Sequence, residues 1–209
     1  MLKIAFDGNP IVGKTALINE IAGSKLKVGN WPGVTVEKKE AQFTYENEEI
    51  FLIDLPGVYS LSPYSNEEII TRDYIINENP DLIINVVDAT NLERNLYLTA
   101  LLKELGKPMI IALNLYDEFK KLDYRLDEKQ FEEFFGLNIV KTSARTREGL
   151  EDLLKKAIAM YKEKEKTNFK LHFNSTIDKE VEAIKKEISD KEEFKSVLEK
   201  LSLDYLAVK

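Results

Sequence analysis

Gly8-Asn9-Pro10-Ile11-Val12-Gly13-Lys14-Thr15 reads as G-x-x-x-x-G-K-[ST], and its neighbours decide the fold. Before it, Leu2-Lys3-Ile4-Ala5-Phe6-Asp7 is a short, mostly apolar run of strand character. After it, Thr15 to Ala22 carries apolar residues at helical spacing and stops at Gly23. A strand, a glycine-bearing turn and a helix in that order make an anion cradle. Gly8 and Gly13 let the backbone curl so that N–H groups converge on phosphate oxygens, and the helix adds its positive dipole end. Asn9, Pro10, Val12 and Ala16 fall within the same wall. The Lys14 ammonium reaches β- and γ-phosphates in such a cradle, and the Thr15 hydroxyl is placed to bind Mg²⁺.

Outward from this turn, strand-like and helix-like segments alternate, the mark of a mostly parallel sheet with helices on both faces. Lys39–Tyr45 and Glu49–Asp54, separated by three residues, read as a hairpin and hence one antiparallel edge. Helices are expected over Asn66–Asn77, Leu92–Leu105, Asp127–Phe135 and Glu148–Tyr161; strands over Leu82–Val87, Met109–Leu113 and Leu137–Lys141. The charge run Lys162–Lys166 frays or prolongs the last helix, and Asn168–Thr176 reads as a connector. Ile177–Leu206 reads as two amphipathic helices, with Val181, Ile184 and Ile188 on one face of the first. Phe194, Val197, Leu198 and Leu201 line the second. The expectation is a nucleotide-binding domain over 1–165 with a six-stranded sheet, and a helical appendage over 166–209 too short for a core of its own.

Composition narrows the function. Thirty Lys+Arg against 37 Asp+Glu give a net charge of −7, which argues against nucleic acid as a partner. The absence of Cys removes disulfides and thiolate metal sites. The N-terminus lacks a signal-peptide pattern, and no stretch approaches the roughly 20 apolar residues of a membrane helix. A soluble chain is expected. His172, the single histidine, reads as a connector residue rather than a ligand.

Later motifs choose among nucleotides. Asp54-Leu55-Pro56-Gly57 reads D-x-x-G at a strand end: the Asp can hold Mg²⁺ through water, and the Gly57 N–H can bond a γ-phosphate. Alone it also fits an ordinary Pro-Gly turn. Gly33-Val34-Thr35, in the long connector before the hairpin, offers a Thr35 hydroxyl to Mg²⁺ and an N–H to the γ-phosphate. Asn114-Leu115-Tyr116-Asp117 follows a strand, where open α/β sheets bind ligands. The Asp117 carboxylate can accept both N–H groups of a guanine edge, which adenine lacks. Ser143, Ala144 and Arg145 follow the last strand, with the Ala144 N–H placed for guanine O6 and Ser143 as a brace. Five modest motifs in this order describe a Ras-like P-loop domain that binds GTP and GDP, with Lys14, Thr35 and Gly57 as the residues expected to act in hydrolysis.

Gly8-Asn9-Pro10, Val28-Gly29-Asn30-Trp31-Pro32-Gly33-Val34-Thr35-Val36-Glu37 and Asp54-Leu55-Pro56-Gly57-Val58-Tyr59-Ser60-Leu61 resemble one family more closely than small GTPases in general. So do Glu67 to Tyr74 and Asn85 to Leu96. The chain resembles the N-terminal domain of FeoB, the ferrous iron transporters of bacteria and archaea, over about residues 2–160. The resemblance implies a place on the cytoplasmic face of the membrane, with a permease domain as partner beyond this chain. It also implies that the appendage slows GDP release. A homo-oligomer stays open.

The chain departs from the family at Ile11, where many members carry an Asn that helps hold an activating K⁺; weak or absent K⁺ stimulation is therefore expected. Leu115 replaces the usual Lys of the guanine motif and keeps the apolar contact with the base. Asp7 is expected to point away from the phosphates. Val58 stands where many GTPases have a water-orienting Gln, so hydrolysis is expected to be slow. Arg72 and Arg94 read as surface or ion-pair residues. Two alternatives remain at this point: a GTP/GDP switch with negligible turnover, and a free-standing ribosome- or tRNA-associated GTPase.

Overall fold

The computed structural model describes residues 1–163, 174–198 and 201–208. Its seven-stranded sheet runs in the order β2-β3-β4-β1-β5-β6-β7. In chain order these are β1 (Leu2–Gly8), β2 (Leu26–Asn30), β3 (Glu37–Tyr45), β4 (Glu48–Asp54), β5 (Leu82–Asp88), β6 (Met109–Asn114) and β7 (Asn138–Lys141). The doubly covered, mostly parallel architecture matches expectation, with one strand more than expected. Strand β2 pairs antiparallel with β3 from Leu26↔Ala41 to Asn30↔Glu37. The antiparallel strand is therefore β3, one place in from the edge, and β2 forms the edge itself. Nothing in Leu-Lys-Val-Gly-Asn alternates, because only Leu26 of that strand is even partly covered.

Helices α1 (Lys14–Ala22), α2 (Asn66–Asn77), α3 (Leu92–Glu104), α4 (Tyr116–Phe119), α5 (Glu128–Phe135) and α6 (Leu150–Glu163) cover the sheet. The two-residue period of β1 separates two cores. Leu2, Ile4 and Phe6 face Leu17 and Ile18 of α1 and Leu153, Leu154 and Ala157 of α6. Ala5 faces the other way, into a layer with Ile53, Ile83 and Val87, closed by Ile75 of α2 and Leu98 and Leu102 of α3. Each fully buried Leu or Ile contributes about 1.5–3 kcal/mol, so the two layers fix where the strand ends lie. The start of α2 is set by a capping box, in which Ser65 Oγ accepts from Glu68 N at 3.1 Å and Glu68 Oε2 accepts from Ser65 N at 3.2 Å.

The appendage differs from expectation in its second half. Helix α7 (Ser175–Ser189) forms, capped by Asn174. The second expected helix is broken into a short turn, α8 (Lys195–Leu198) and α9 (Leu203–Val208). Ser202 is the reason: its hydroxyl donates to Glu104 O at 2.9 Å and accepts from Tyr205 N at 3.1 Å, capping α9 and tying it to the end of α3. Leu201 and Tyr205 pack against the α2/α3 layer. No residue of α7 is buried, so its Ile184 face is only partly covered. The expected domain boundary at 165/166, most of the connector and His172 lie outside the described residues.

Candidate functional site

The ladder registers bring the motif residues to one rim. Phe6 is level with Asp54, Gly8 with Val86, Asp88 with Asn114 and Leu113 with Lys141. The turns after β1, β4, β6 and β7 therefore open together at the carboxyl ends of the parallel strands, where this kind of sheet takes ligands. Gly8 ends β1, Asn9 to Val12 form the turn, and Thr15 and Ala16 lie in the first turn of α1. Gly13 has φ 80°, and a Cβ there would sit 2.5 Å from Asn114 Nδ2, so only glycine fits.

Buried Asn114 stitches three turns into one unit. Its Nδ2 donates to Val12 O at 2.9 Å, and its Oδ1 accepts from Thr142 Oγ1 at 3.4 Å. Tyr116 N donates to Thr142 O at 3.1 Å. Asp117 is thereby carried to the far end of the rim. Its Oδ2 accepts from Arg145 Nε at 2.8 Å, and Arg145 Nη2 also reaches Glu118 Oε1 at 3.1 Å. The hydroxyl of buried Ser143 and then the Arg145 guanidinium hold the Asp117 carboxyl below the usual range, so it is ionised at neutral pH. Ala144 lies in the same turn, its side chain against the α1/α6 layer.

At the phosphate end, Lys14 is buried and its ammonium donates to Asp54 Oδ1 and to Leu55 O. Thr15 Oγ1 donates to Asp54 Oδ2 at 2.9 Å. A hydroxyl and a carboxylate side by side at the mouth of an anion cradle are the oxygen donors a hard divalent cation takes, so Thr15 and Asp54 fit Mg²⁺. Thr35 stands apart. It is exposed on the loop after β2, closed by Trp31 N→Val36 O at 2.9 Å and Val34 N→Trp31 O at 3.3 Å. Among the described residues, no hydrogen bond joins Gly33, Val34 or Thr35 to Lys14, Thr15 or Asp54. The loop is anchored instead by Trp31, whose ring meets Tyr74 of α2 edge-on at 5.6 Å with Lys38 at 5.5 Å from its centre.

The segment after Asp54 lies on the phosphate turn. Leu55 N donates to Phe6 O at 3.0 Å and Val58 N to Gly8 O at 3.3 Å. Gly57 is so close to the turn that a Cβ would meet Pro10 N and Cα at 3.2 Å. Val58 turns inward, 3% exposed, into the α2/α3 layer.

Three residues to which the sequence reading gave no part in nucleotide binding lie beside the site. Arg94 approaches the phosphate turn: its carbonyl accepts from Asn9 Nδ2 at 3.2 Å and its guanidinium stacks on Tyr59 at 4.7 Å. Tyr59 is thus a second such residue. Asp7 is wholly buried in β1, with Oδ1 accepting from Gly8 N at 2.7 Å and Oδ2 without a partner. Its carboxylate directly before Gly8 of the phosphate turn was the visible signal for it.

Known proteins resemble this chain in sequence and in fold. The family model described as ferrous iron transport protein B matches residues 2–157. The Fe(2+) transporter FeoB of Methanocaldococcus jannaschii is 45% identical over 207 residues, covering 99% of this chain and 30% of that protein. The Campylobacter jejuni FeoB is 49% identical over 163 residues, covering 78% of this chain and 27% of that protein. This chain therefore spans less than a third of the length of these relatives. Among solved structures, the cytosolic domain of T. maritima FeoB in its GMPPNP form superposes with a TM-score of 0.91 at 39% identity, over 100% of this chain and 80% of that one. Its GDP form I gives 0.90 at the same identity, over 100% and 79%. The chain belongs to the ferrous iron transport protein B (FeoB) family, as its N-terminal G domain.

Proposed function

We propose that this chain binds GTP and GDP and hydrolyses GTP slowly, as the G domain of a ferrous iron transporter. The observation that carries the reading is the Asn114 bridge to Val12 O, because it ties a phosphate cradle and an ionised Asp117 into one rigid rim. Relatives crystallised with GDP and GMPPNP support it. In this reading Lys14 leaves Asp54 to hold β- and γ-phosphate oxygens, and the backbone N–H groups of the Gly8–Ala16 turn complete the cradle. Asp117 accepts the N1–H and N2–H₂ edge of guanine after Arg145 swings aside; Ser143 braces it, and the Ala144 N–H meets O6. Thr15 and Asp54 would hold Mg²⁺, which would neutralise charge on the phosphates, and Thr35 would join them only after its loop moves towards the cradle. A water attacks the γ-phosphorus, the bond to the β–γ bridging oxygen breaks, and GDP and phosphate leave.

Slow turnover follows from Val58. An inward, apolar side chain offers no amide to orient the water, so backbone groups of the 29–35 segment and Thr35 have that task. The same burial favours a second reading, a nucleotide switch with negligible turnover. The remaining two thirds and more of the relatives' length would supply the membrane permease this domain serves, while no helix among the described residues is long and apolar enough to cross a membrane. The α7–α9 appendage is proposed to retard GDP release through its attachment to the end of α3. Steady-state phosphate release from GTP with Mg²⁺, with ATP as control, tests the reading. GTP-selective turnover supports it, tight GTP binding without turnover moves it to the switch, and equal use of ATP overturns it.

A further inference from the structure

Segment Leu55–Tyr59 lies over the cradle, and its inner end is held through its own backbone groups. Leu55 N bonds Phe6 O, Val58 N bonds Gly8 O and Thr71 Oγ1 bonds Pro56 O at 3.2 Å. The outer end is held differently. Val58 faces inward, so Tyr59 is the first side chain to emerge, 44% exposed, and the Arg94 guanidinium both stacks on its ring at 4.7 Å and donates to its Oη. Arg94 is in turn fixed to the phosphate turn, because its carbonyl accepts from Asn9 Nδ2. Asn9 is 3% exposed and its Oδ1 has no partner, so Nδ2–Arg94 O is the bond that orients this amide. One residue of α3 therefore grips the phosphate turn with its backbone and the Asp54–Tyr59 segment with its side chain.

We propose that Arg94 is a positioning residue for GTP hydrolysis: by clamping Tyr59 to α3 it holds the Gly57 N–H over the cradle where a γ-phosphate would lie. The proposal rests on the GTPase reading above. The physical case is preorganisation. A donor aimed at the transferring group accelerates the reaction only if little reorganisation is needed when charge develops there. Gly57 has no side chain to fix it, and its neighbour Val58 is committed to the core. The grip on Tyr59 adds to the Val58 N–Gly8 O and Thr71–Pro56 O bonds and is the contact that holds the segment at its outer, exposed end. Cation–π and hydrogen-bond contributions of this kind are individually modest, on the scale at which a rate is tuned rather than abolished. GDP has no γ-phosphate for Gly57 to meet, so the clamp acts on GTP and leaves GDP alone.

The test is single-turnover GTP hydrolysis alongside GDP affinity for Arg94→Ala, Arg94→Lys, Tyr59→Ala and Tyr59→Phe, each checked for its melting temperature. Arg94→Ala and Tyr59→Ala are expected to hydrolyse about tenfold more slowly with GDP affinity within twofold of wild type. Arg94→Lys and Tyr59→Phe, which keep the cation–π contact, should fall between. Unchanged hydrolysis in both alanine variants overturns the clamp, and so does an equal loss of GDP affinity and melting temperature, which marks a merely structural contact. Absence of turnover in the wild type is failure of the GTPase reading instead. The clamp is then read from the ratio of GMPPNP to GDP affinity, which the alanine variants should lower; an unchanged ratio overturns it.

Discussion

Lys14 and Asp54 form an ion pair at the mouth of the phosphate turn, each side chain only 8% exposed. The pair sets up a competition. A triphosphate can take the Lys14 ammonium only by drawing it from Asp54 and Leu55 O, which frees the Asp54 carboxylate beside Thr15. Lys14→Ala removes charge-assisted bonds of about 1.5–3 kcal/mol each, so GTP affinity by calorimetry should fall ~100-fold or more. Affinity within a few-fold of wild type would put the phosphates elsewhere.

Removing the other partner has the opposite signature. Asp54→Asn leaves the buried Lys14 ammonium with Leu55 O but without its counter-charge, and breaking a buried pair costs roughly 3–5 kcal/mol. The nucleotide-free variant should therefore melt well below wild type. Saturating GDP gives Lys14 a new partner and should narrow the gap. A gap that is the same with and without GDP would show that Lys14 does not change partners.

At the other end of the rim, Arg145 occupies the Asp117 oxygen that a guanine edge needs. Asp117→Asn exchanges an acceptor for a donor and should reverse the preference from GDP to XDP, with GDP weakened at least ~100-fold in competition binding. Arg145→Ala uncovers the carboxylate and should leave GDP affinity equal or tighter. Retained guanine preference in the Asn variant would move the base site away from this turn.

The rim was legible because its parts are chemical. Gly13 is forced by its φ and by Asn114, and Asn114 by a bond it can make only after a strand of fixed length. The doubly covered sheet was legible from the apolar runs of β1, β5 and β6, which need cover on both faces. Strand β2 was not, because an exposed edge strand owes its form to the ladder with β3 rather than to any pattern of its own. The break before α9 was equally hidden, since Ser202 caps it only because Glu104 O, far away in sequence, is within reach. Thr35 shows the converse: its motif is plain, yet the loop is anchored through Trp31 and Tyr74, and among the described residues no hydrogen bond joins Thr35 to Thr15 or Asp54.

Asp7 predicts a pH dependence. Burial pushes its carboxyl up from 3.8 to about 7, against the pull of Lys14 and of the Gly8 N–H, with Asp54 adding to the rise. A raised carboxyl means that between these values the folded chain holds a proton the unfolded chain has released. Stability is therefore lost as pH climbs from about 4 to 7 and levels off above, by at most about 4 kcal/mol from this group. Asp7→Asn abolishes the loss. Its melting temperature should exceed that of wild type at pH 8, and the difference should shrink steadily towards pH 4; a difference independent of pH would show that Asp7 does not titrate in this range.

Ile11 carries the last prediction. It lies at φ 71° and is 94% exposed, so a β-branched residue sits in the left-handed region with no packing to compensate. Strain of this kind costs of order 1–3 kcal/mol, and Asn tolerates the same backbone far better. Ile11→Asn should therefore stabilise the nucleotide-free protein by about 1 kcal/mol in urea unfolding. It also supplies an amide oxygen at the tip of the phosphate turn, where the isoleucine offers none. GTP turnover of the wild type should be equal in KCl and NaCl, and potassium should accelerate only the Asn variant. Clear potassium acceleration of the wild type would mean that other oxygens, such as carbonyls near Gly29, build an ion site without residue 11. The stability gain would survive that outcome, because it follows from the backbone angle alone.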